Sequence, residues 1–274
     1  MTSTTLSPFP QPPRGAPWGR RGALYNFDTA SLLGLTLSPE TLAVVQQIAR
    51  AADAQRDQEA PISSHGARIA AVAQAMGCPG QVAGRCGVLV DAFSLASDLA
   101  DNIADAEEDA ANGRSFQELY AGIPYARLVA TPALLVGAVI AAIPRVLPAP
   151  ALHPTHLTTE LMRVLDVMAR GQSRGFDEDA RIEEISAVQG RLYAMPWWAL
   201  EGPDGVMAAE VEAWAVPWAR TWQLNRDRVE NPGDVRVEAA LRAACAQALS
   251  RWPEGEAFQG DGPFAAARLL PALT

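Results

Sequence analysis

The stretch GVLVDAFSLASDLADNIADAEED (87–109) joins an apolar run directly to an acidic one. Its last thirteen residues contain six acidic side chains and one Asn. On a helix, Asp98, Asp101, Asn102 and Asp105 share one face within two turns. Like charges arranged in this way repel one another and disfavour the helix unless something offsets them. The stretch therefore raises the question of what compensates its charge.

A divalent cation would offset this repulsion. Mg²⁺ takes oxygen ligands and commonly joins one or two carboxylates to the phosphates of a substrate. The alternative is a solvated helix end in which Glu107, Glu108 and Asp109 face water. The apolar run before the acidic residues places the carboxylates close to a core, and this favours the metal site.

The rest of the chain also has helical patterning. Hydrophobic residues make up 49% and charged residues 19%, which is typical of a folded domain. Apolar and polar residues do not alternate around hairpin turns, so we expect no strands. We predict one all-α domain of about eight to ten helices over residues 25–274, after a flexible tail at 1–24. The predicted helices are 38–55, 63–76, 80–109, 155–175, 180–201, 205–230 and 234–251, and 128–143 is predicted to be a buried core helix.

Charge and composition disfavour several classes of function. The net charge of −9 argues against nucleic-acid binding, which needs a basic surface. The apolar run 128–143 is short for a membrane span and is interrupted by Pro132. Three cysteines without metal spacing fit a reducing cytoplasm. The chain has no lysine, so we expect Arg to supply most cationic contacts to a phosphate.

Three segments together resemble a known family. The segment 101–105, DNIAD, resembles the first aspartate-rich motif, DDxxD, of polyprenyl diphosphate synthases. Residues 168–172, MARGQ, are similar to a GQ segment of a following helix. Residues 222–230, WQLNRDRVE, resemble the second acidic motif, FQxxDDxxD. The segments 63–76 and 128–135 also resemble flanking segments of the family, but more loosely.

The resemblance implies a class I isoprenoid synthase fold, an all-α bundle whose central cavity holds Mg²⁺ and a prenyl diphosphate. It also implies a homodimer. By this resemblance, Asp101, Asp105 and Asp227 are the catalytic carboxylates. The metal ligands implied are Asp101, Asn102, Asp105, Asp227 and Glu230, and the residues implied to contact substrate are Arg68, Arg114, Gln172, Arg191, Gln223 and Arg226.

The chain departs from the family where chain-elongating members bind a second diphosphate. The basic GGKRxRP-type segment is replaced by SSHGARI (63–69), in which only Arg68 matches. The paired arginines after the first motif are reduced to Arg114, and a Lys-Thr segment is replaced by Gln-Gly-Arg at 189–191. In the second motif Arg226 stands where an Asp is usual. Fewer positive charges weaken a site for two diphosphates.

Three interpretations follow. The first is a terpene synthase-like enzyme that ionises one allylic prenyl diphosphate and cyclises or rearranges it. The second is a divergent polyprenyl diphosphate synthase that uses Arg68, Arg114 and Arg191 as substitutes. The third is a non-catalytic relative that acts as a binding or partner subunit, which Arg226 favours because a guanidinium competes with a metal. An apolar wall for the carbocation is predicted from Phe93, Tyr193, Trp197, Trp198, Trp214, Trp218 and Trp222.

Overall fold

The computed structural model describes residues 32–56, 65–104, 120–147, 152–173, 188–230, 232–262 and 264–266. Within these ranges, the side chains at 51–56, 101, 102, 104, 168–173, 226, 227, 229 and 230 are not described.

The described part of the chain is all-α and contains no strand, as predicted. The helices that begin at 39, 80, 154, 206 and 235 start within a residue of the prediction, whereas the predicted helix 128–143 extends three residues further at each end. Residues 188–191 are also helical and continue into a short 3₁₀ turn at Leu192–Ala194. The α-helices are α1 (Pro39–Arg56), α2 (His65–Ala75), α3 (Gly80–Ala104), α4 (Tyr125–Val146), α5 (Pro154–Ser173), α6 (Met195–Glu201), α7 (Val206–Glu230) and α8 (Val235–Leu249).

Side-chain caps explain where two helices begin. The Ser38 hydroxyl accepts a hydrogen bond from the Thr41 backbone N–H at 3.2 Å, which confirms the predicted start of α1. The Asp234 carboxylate accepts from the Arg236 N–H at 2.8 Å at the start of α8. A hydrogen bond from the Arg236 side chain is the main reason why the pKa of Asp234 lies below its usual value. Each cap satisfies a donor that the first helical turn leaves open.

The chain divides into two compact units. Unit 1 comprises residues 1–71 and 79–147, and unit 2 comprises 72–78 and 148–274. The prediction of a single domain over 25–274 stays a prediction, and each unit is described by itself below.

Helix α3 forms the centre of unit 1 and packs along α4. It is buried on nearly all sides from Cys86 to Phe93, so its apolar run does lie in a core. The Arg85 guanidinium donates to the Val146 carbonyl at 2.8 Å, which satisfies an end carbonyl of α4. The apolar first part of the stretch 87–109 is therefore buried, as predicted.

Helix α4 is buried on one face only. Leu128, Leu135 and Ile143 are among its buried residues, whereas Tyr125 and Val129 on the other face are exposed. It is the one helix of the described chain that is long and apolar enough to cross a membrane, a test that core helices also pass. The helix predicted at 128–143 therefore forms, with one face buried. It continues past its predicted end, so that Pro144 lies within its last turn.

Unit 2 is organised around α7. Helix α8 packs along α7, and α6 packs against both α5 and α7. Gly190 allows the 188–191 segment to approach α7 closely, because a Cβ there would lie 2.6 Å from the Ala215 carbonyl oxygen. Near the end of α7, Leu224 packs with Leu241 and Cys245 of α8. Burial raises the pKa of the Cys245 thiol.

Candidate functional site

The first acidic segment begins in the last described turns of α3, and residues 105–119 lie outside the described residues. Asp98 is half-buried, and Leu95 and Leu99 beside it are 1% exposed. Asp101 and Asn102 belong to the last turn of the helix. Asp105 lies outside the described residues. Asp98 is therefore half-buried beside core leucines. This fits the expectation that the acidic face begins close to the core.

The second acidic segment occupies the corresponding position on α7, which also has 25 residues. Trp222 is 46% exposed and Gln223 is half-buried. Asp227 and Glu230 belong to the last turn. The side chains of Arg226, Asp227 and Glu230 are among those not described, so their roles stay predictions.

The position of both segments matters electrostatically. The C-terminal end of a helix carries unsatisfied carbonyls and a partial negative charge, so acidic side chains there destabilise the helix. α3 has no basic residue in its last turn, and α7 has Arg228. The Arg228 guanidinium donates to the Asn225 side-chain oxygen at 2.6 Å. The acidic residues in the last turn of α7 are therefore ones that a bound cation would stabilise.

The donor set of these segments suits Mg²⁺, because it consists of carboxylate and amide oxygens. Among the side chains that the structure describes, no group of three or more His, Cys, Asp and Glu is placed to hold a metal. The predicted ligands are not in that set: Asp101, Asn102, Asp227 and Glu230 lack described side chains, and Asp105 lies outside the described residues.

The residues predicted to contact substrate are placed separately. Arg68 lies in the first turns of α2 and is half-buried. Gln172 lies in the last turn of α5, and Arg114 lies outside the described residues. Gln223 lies in the turn of α7 before Asp227.

Arg191 is held by a network of charged side chains in unit 2. Its Nη2 lies 2.8 Å from the Glu160 carboxylate and its Nε lies 3.2 Å from that of Glu212. Its guanidinium carbon lies 5.6 Å from the ring centre of Trp198, whose indole N–H donates to Glu212 at 3.2 Å. Arg163 pairs with the other oxygen of Glu160.

This network limits what Arg191 can do for a substrate. The side chain of Glu160 is 5% exposed, so removing Arg191 would leave this buried carboxylate paired with Arg163 alone. A diphosphate that bound Arg191 would have to compete with the Glu160 and Glu212 carboxylates, which already contact its guanidinium. The predicted role of Arg191 in substrate binding stays untested, but its contacts in unit 2 are structural.

The predicted aromatic wall is largely buried. Phe93 lies in unit 1 and is 3% exposed. In unit 2, the Tyr193 and Trp218 rings meet edge to face with centroids 4.8 Å apart, and the Trp214 and Trp252 rings lie 5.2 Å apart. These rings pack on one another as core aromatic residues do. Trp222 differs, because nearly half of it is exposed.

Comparisons with protein-family models, with curated proteins and with solved structures found no match.

Sequence patterns missed two buried carboxylates. Asp91 is 4% exposed and Glu160 is 3% exposed, and both are fixed by hydrogen bonds or ion pairs. Asp91 stands alone within the apolar run GVLVDAFSLA, and a lone acid in a buried helix requires a partner. That signal identifies Asp91 as a residue with a specific contact, although the sequence does not say which.

Proposed function

We propose that the protein is a Mg²⁺-dependent class I isoprenoid synthase-like enzyme that ionises an allylic prenyl diphosphate and cyclises or rearranges it. One observation carries the proposal. The two segments that resemble the aspartate-rich motifs both lie on long helices, α3 and α7, in an all-α chain. Their side-chain oxygens are the ligands that Mg²⁺ prefers, and this supports a metal-binding role.

By the resemblance, the metal ligands would be Asp101, Asn102 and Asp105 of the first segment and Asp227 and Glu230 of the second. Bound Mg²⁺ would supply positive charge to the diphosphate oxygens and so favour departure of the diphosphate. The role of the chain itself is to hold these carboxylates and to surround the hydrocarbon with apolar side chains that exclude water. Asp98, half-buried one turn before Asp101, is suited to orient a ligand rather than to bind the metal itself.

The contacts of Arg191 favour use of a single substrate over chain elongation. Elongation requires cations for a second diphosphate, and Arg191 was one of three substitutes available for that role. Its guanidinium already contacts Glu160 and Glu212. With Arg191 committed to these contacts, less positive charge is left for a second diphosphate than elongation needs.

Product analysis tests the proposal. The purified protein is incubated with Mg²⁺ and farnesyl or geranylgeranyl diphosphate, with and without isopentenyl diphosphate. A hydrocarbon or alcohol formed from one substrate alone is the expected result. A longer diphosphate, formed only when both substrates are present, would indicate elongation instead. Absence of any Mg²⁺-dependent product, together with absence of diphosphate binding, would support the non-catalytic interpretation.

A matched pair of variants locates the activity. Asp101→Ala should abolish turnover with little loss of folding. Asp204→Ala removes the same charge from an exposed 3₁₀ turn in unit 2, outside both acidic segments, and should leave turnover unchanged. Equal activity of the two variants would disprove the metal site on α3.

A further inference from the structure

The face of α4 that points away from the core of unit 1 is apolar and exposed. On it, Val129 is 48% exposed and Leu134 is 47% exposed, and Ala130 and Ala141 are exposed as well. These four residues define the outer face of α4. The helix contains no acidic residue, and its only charges are two arginines near its ends. A continuous apolar face of this kind marks a surface that another segment or molecule covers.

The chain that precedes α1 enters unit 1 close to this helix. Near the end of α4, the Arg145 guanidinium donates to the Leu35 carbonyl at 2.6 Å. The Leu35 N–H donates in turn to the carbonyl of Leu32, the first described residue, at 3.1 Å. Leu32 is 3% exposed, so the chain is already packed where the described part begins. Residues 1–31 therefore lead into unit 1 beside the C-terminal end of α4.

The last residues of this segment are long enough to cover the outer face of α4. In extended form, the eight residues of 24–31, LYNFDTAS, span about 26 Å. Along the helix axis, Leu134 lies about 17 Å from Arg145, and Val129 lies about 24 Å from it. A segment that runs back from Leu32 along α4 can therefore reach both exposed side chains.

Composition and charge favour this segment over a second copy of the chain. Two copies packed through α4 would bring together two helices that carry only positive charge. The segment 24–31 carries a single charge, and it is the negative charge of Asp28. Leu24, Tyr25 and Phe27 supply large apolar side chains, which are suited to packing against a helix face rich in alanine.

We propose that residues 24–31 pack along the outer face of α4 and cover it. The inference is independent of the proposed function, because it concerns only the packing of unit 1. It accounts for the apolar outer face of α4 by a contact within the chain.

Thiol labelling of the full chain tests the proposal. Leu134→Cys places a thiol on the outer face, and Val235→Cys, at a 76% exposed position on α8, is the matched control. The three native cysteines are buried, and mass spectrometry of the labelled peptides separates them from the introduced thiol. Each native labelling rate is divided by the rate of the same variant in urea. The Leu134→Cys ratio should be at least about 10-fold below the Val235→Cys ratio, because labelling then requires the segment to open locally.

A double substitution in the segment identifies what covers the face. Tyr25→Ser with Phe27→Ser should raise the Leu134→Cys ratio at least about fivefold and leave the Val235→Cys ratio unchanged, with the same circular dichroism spectrum. If Leu134→Cys labels as fast as Val235→Cys, the face is uncovered and the proposal is wrong. If labelling is slow but unaffected by the double substitution, something else covers the face and the proposal is also wrong. A doubled mass in analytical ultracentrifugation would then identify a second copy of the chain.

Discussion

Replacing Gly66 with Ala tests the packing of α2 on α3 directly. The added Cβ would meet the Gly87 carbonyl oxygen first and the carbonyl carbon at 2.6 Å, whereas an ordinary contact requires 3.4–4 Å. The two backbones must therefore separate by more than about 1 Å, and overpacking of this kind costs about 1–3 kcal/mol. The same movement stretches the hydrogen bond from the Gly66 N–H to Asp91, and a bond to a charged group contributes about 1.5–3 kcal/mol.

Alanine is the better helix former, which returns about 0.5–1 kcal/mol. The net expectation for Gly66→Ala is a loss of about 3 kcal/mol in the free energy of unfolding, from the central values of these three effects. Gly137→Ala is the matched control, because Gly137 lies within α4 and a Cβ there meets nothing within 4 Å. This variant should gain about 0.5–1 kcal/mol.

Urea denaturation followed by far-ultraviolet circular dichroism measures both changes. The two variants should move the transition in opposite directions. If Gly66→Ala is as stable as Gly137→Ala, α2 and α3 do not approach each other as closely as the Gly66–Gly87 contact requires.

Three further predictions concern unit 2. Arg191→Met removes the less exposed of the two cations that contact Glu160 and should lower the free energy of unfolding by up to about 3 kcal/mol, whereas Arg163→Met, at the more exposed cation, should cost well under half of that in urea denaturation. Because the pKa of Asp234 is lowered in the folded chain, its cap contributes fully to stability above the usual Asp pKa, and this contribution is lost as pH falls through the lowered value. Between about pH 5 and pH 2, the loss of helical content should include a component that Asp234→Ala lacks. Identical acid titrations of the two proteins would contradict this. Because burial raises the pKa of the Cys245 thiol, its reaction with a disulfide reagent at about pH 8 should be slow in the native protein and fast in urea, and rapid native labelling would show that the site is open.

The extent of the helices was predictable from the sequence because apolar periodicity and end signals agree locally. Ser38 and Pro39 define the start of α1, and the apolar run from Gly80 forms α3 as expected. The prediction for α4 was less accurate. Pro144 was expected to end the helix, but the turn continues to Val146, whose carbonyl is satisfied by Arg85 from another helix. A contact between distant residues of this kind leaves no local signal.

The site was less predictable than the helices for the same physical reason. The sequence places Asp101 and Asp227 on helices, because that depends on local pattern alone. It does not reveal that Arg191 lies between Glu160 and Glu212, since this depends on how α5 and α7 pack in unit 2. Nor does it pair Asp91 with Gly66, although the lone acid in an apolar run indicates that some partner exists.

The most direct test is whether the carboxylates of the two acidic segments bind metal. Mn²⁺ can replace Mg²⁺ in oxygen sites, and its binding in the presence of inorganic pyrophosphate is measured by electron paramagnetic resonance. Asp101→Ala and Asp227→Ala should each weaken Mn²⁺ binding by at least about 10-fold, and Asp204→Ala should not. Unchanged Mn²⁺ affinity in both Asp101→Ala and Asp227→Ala would contradict metal binding by these segments and the function proposed from it.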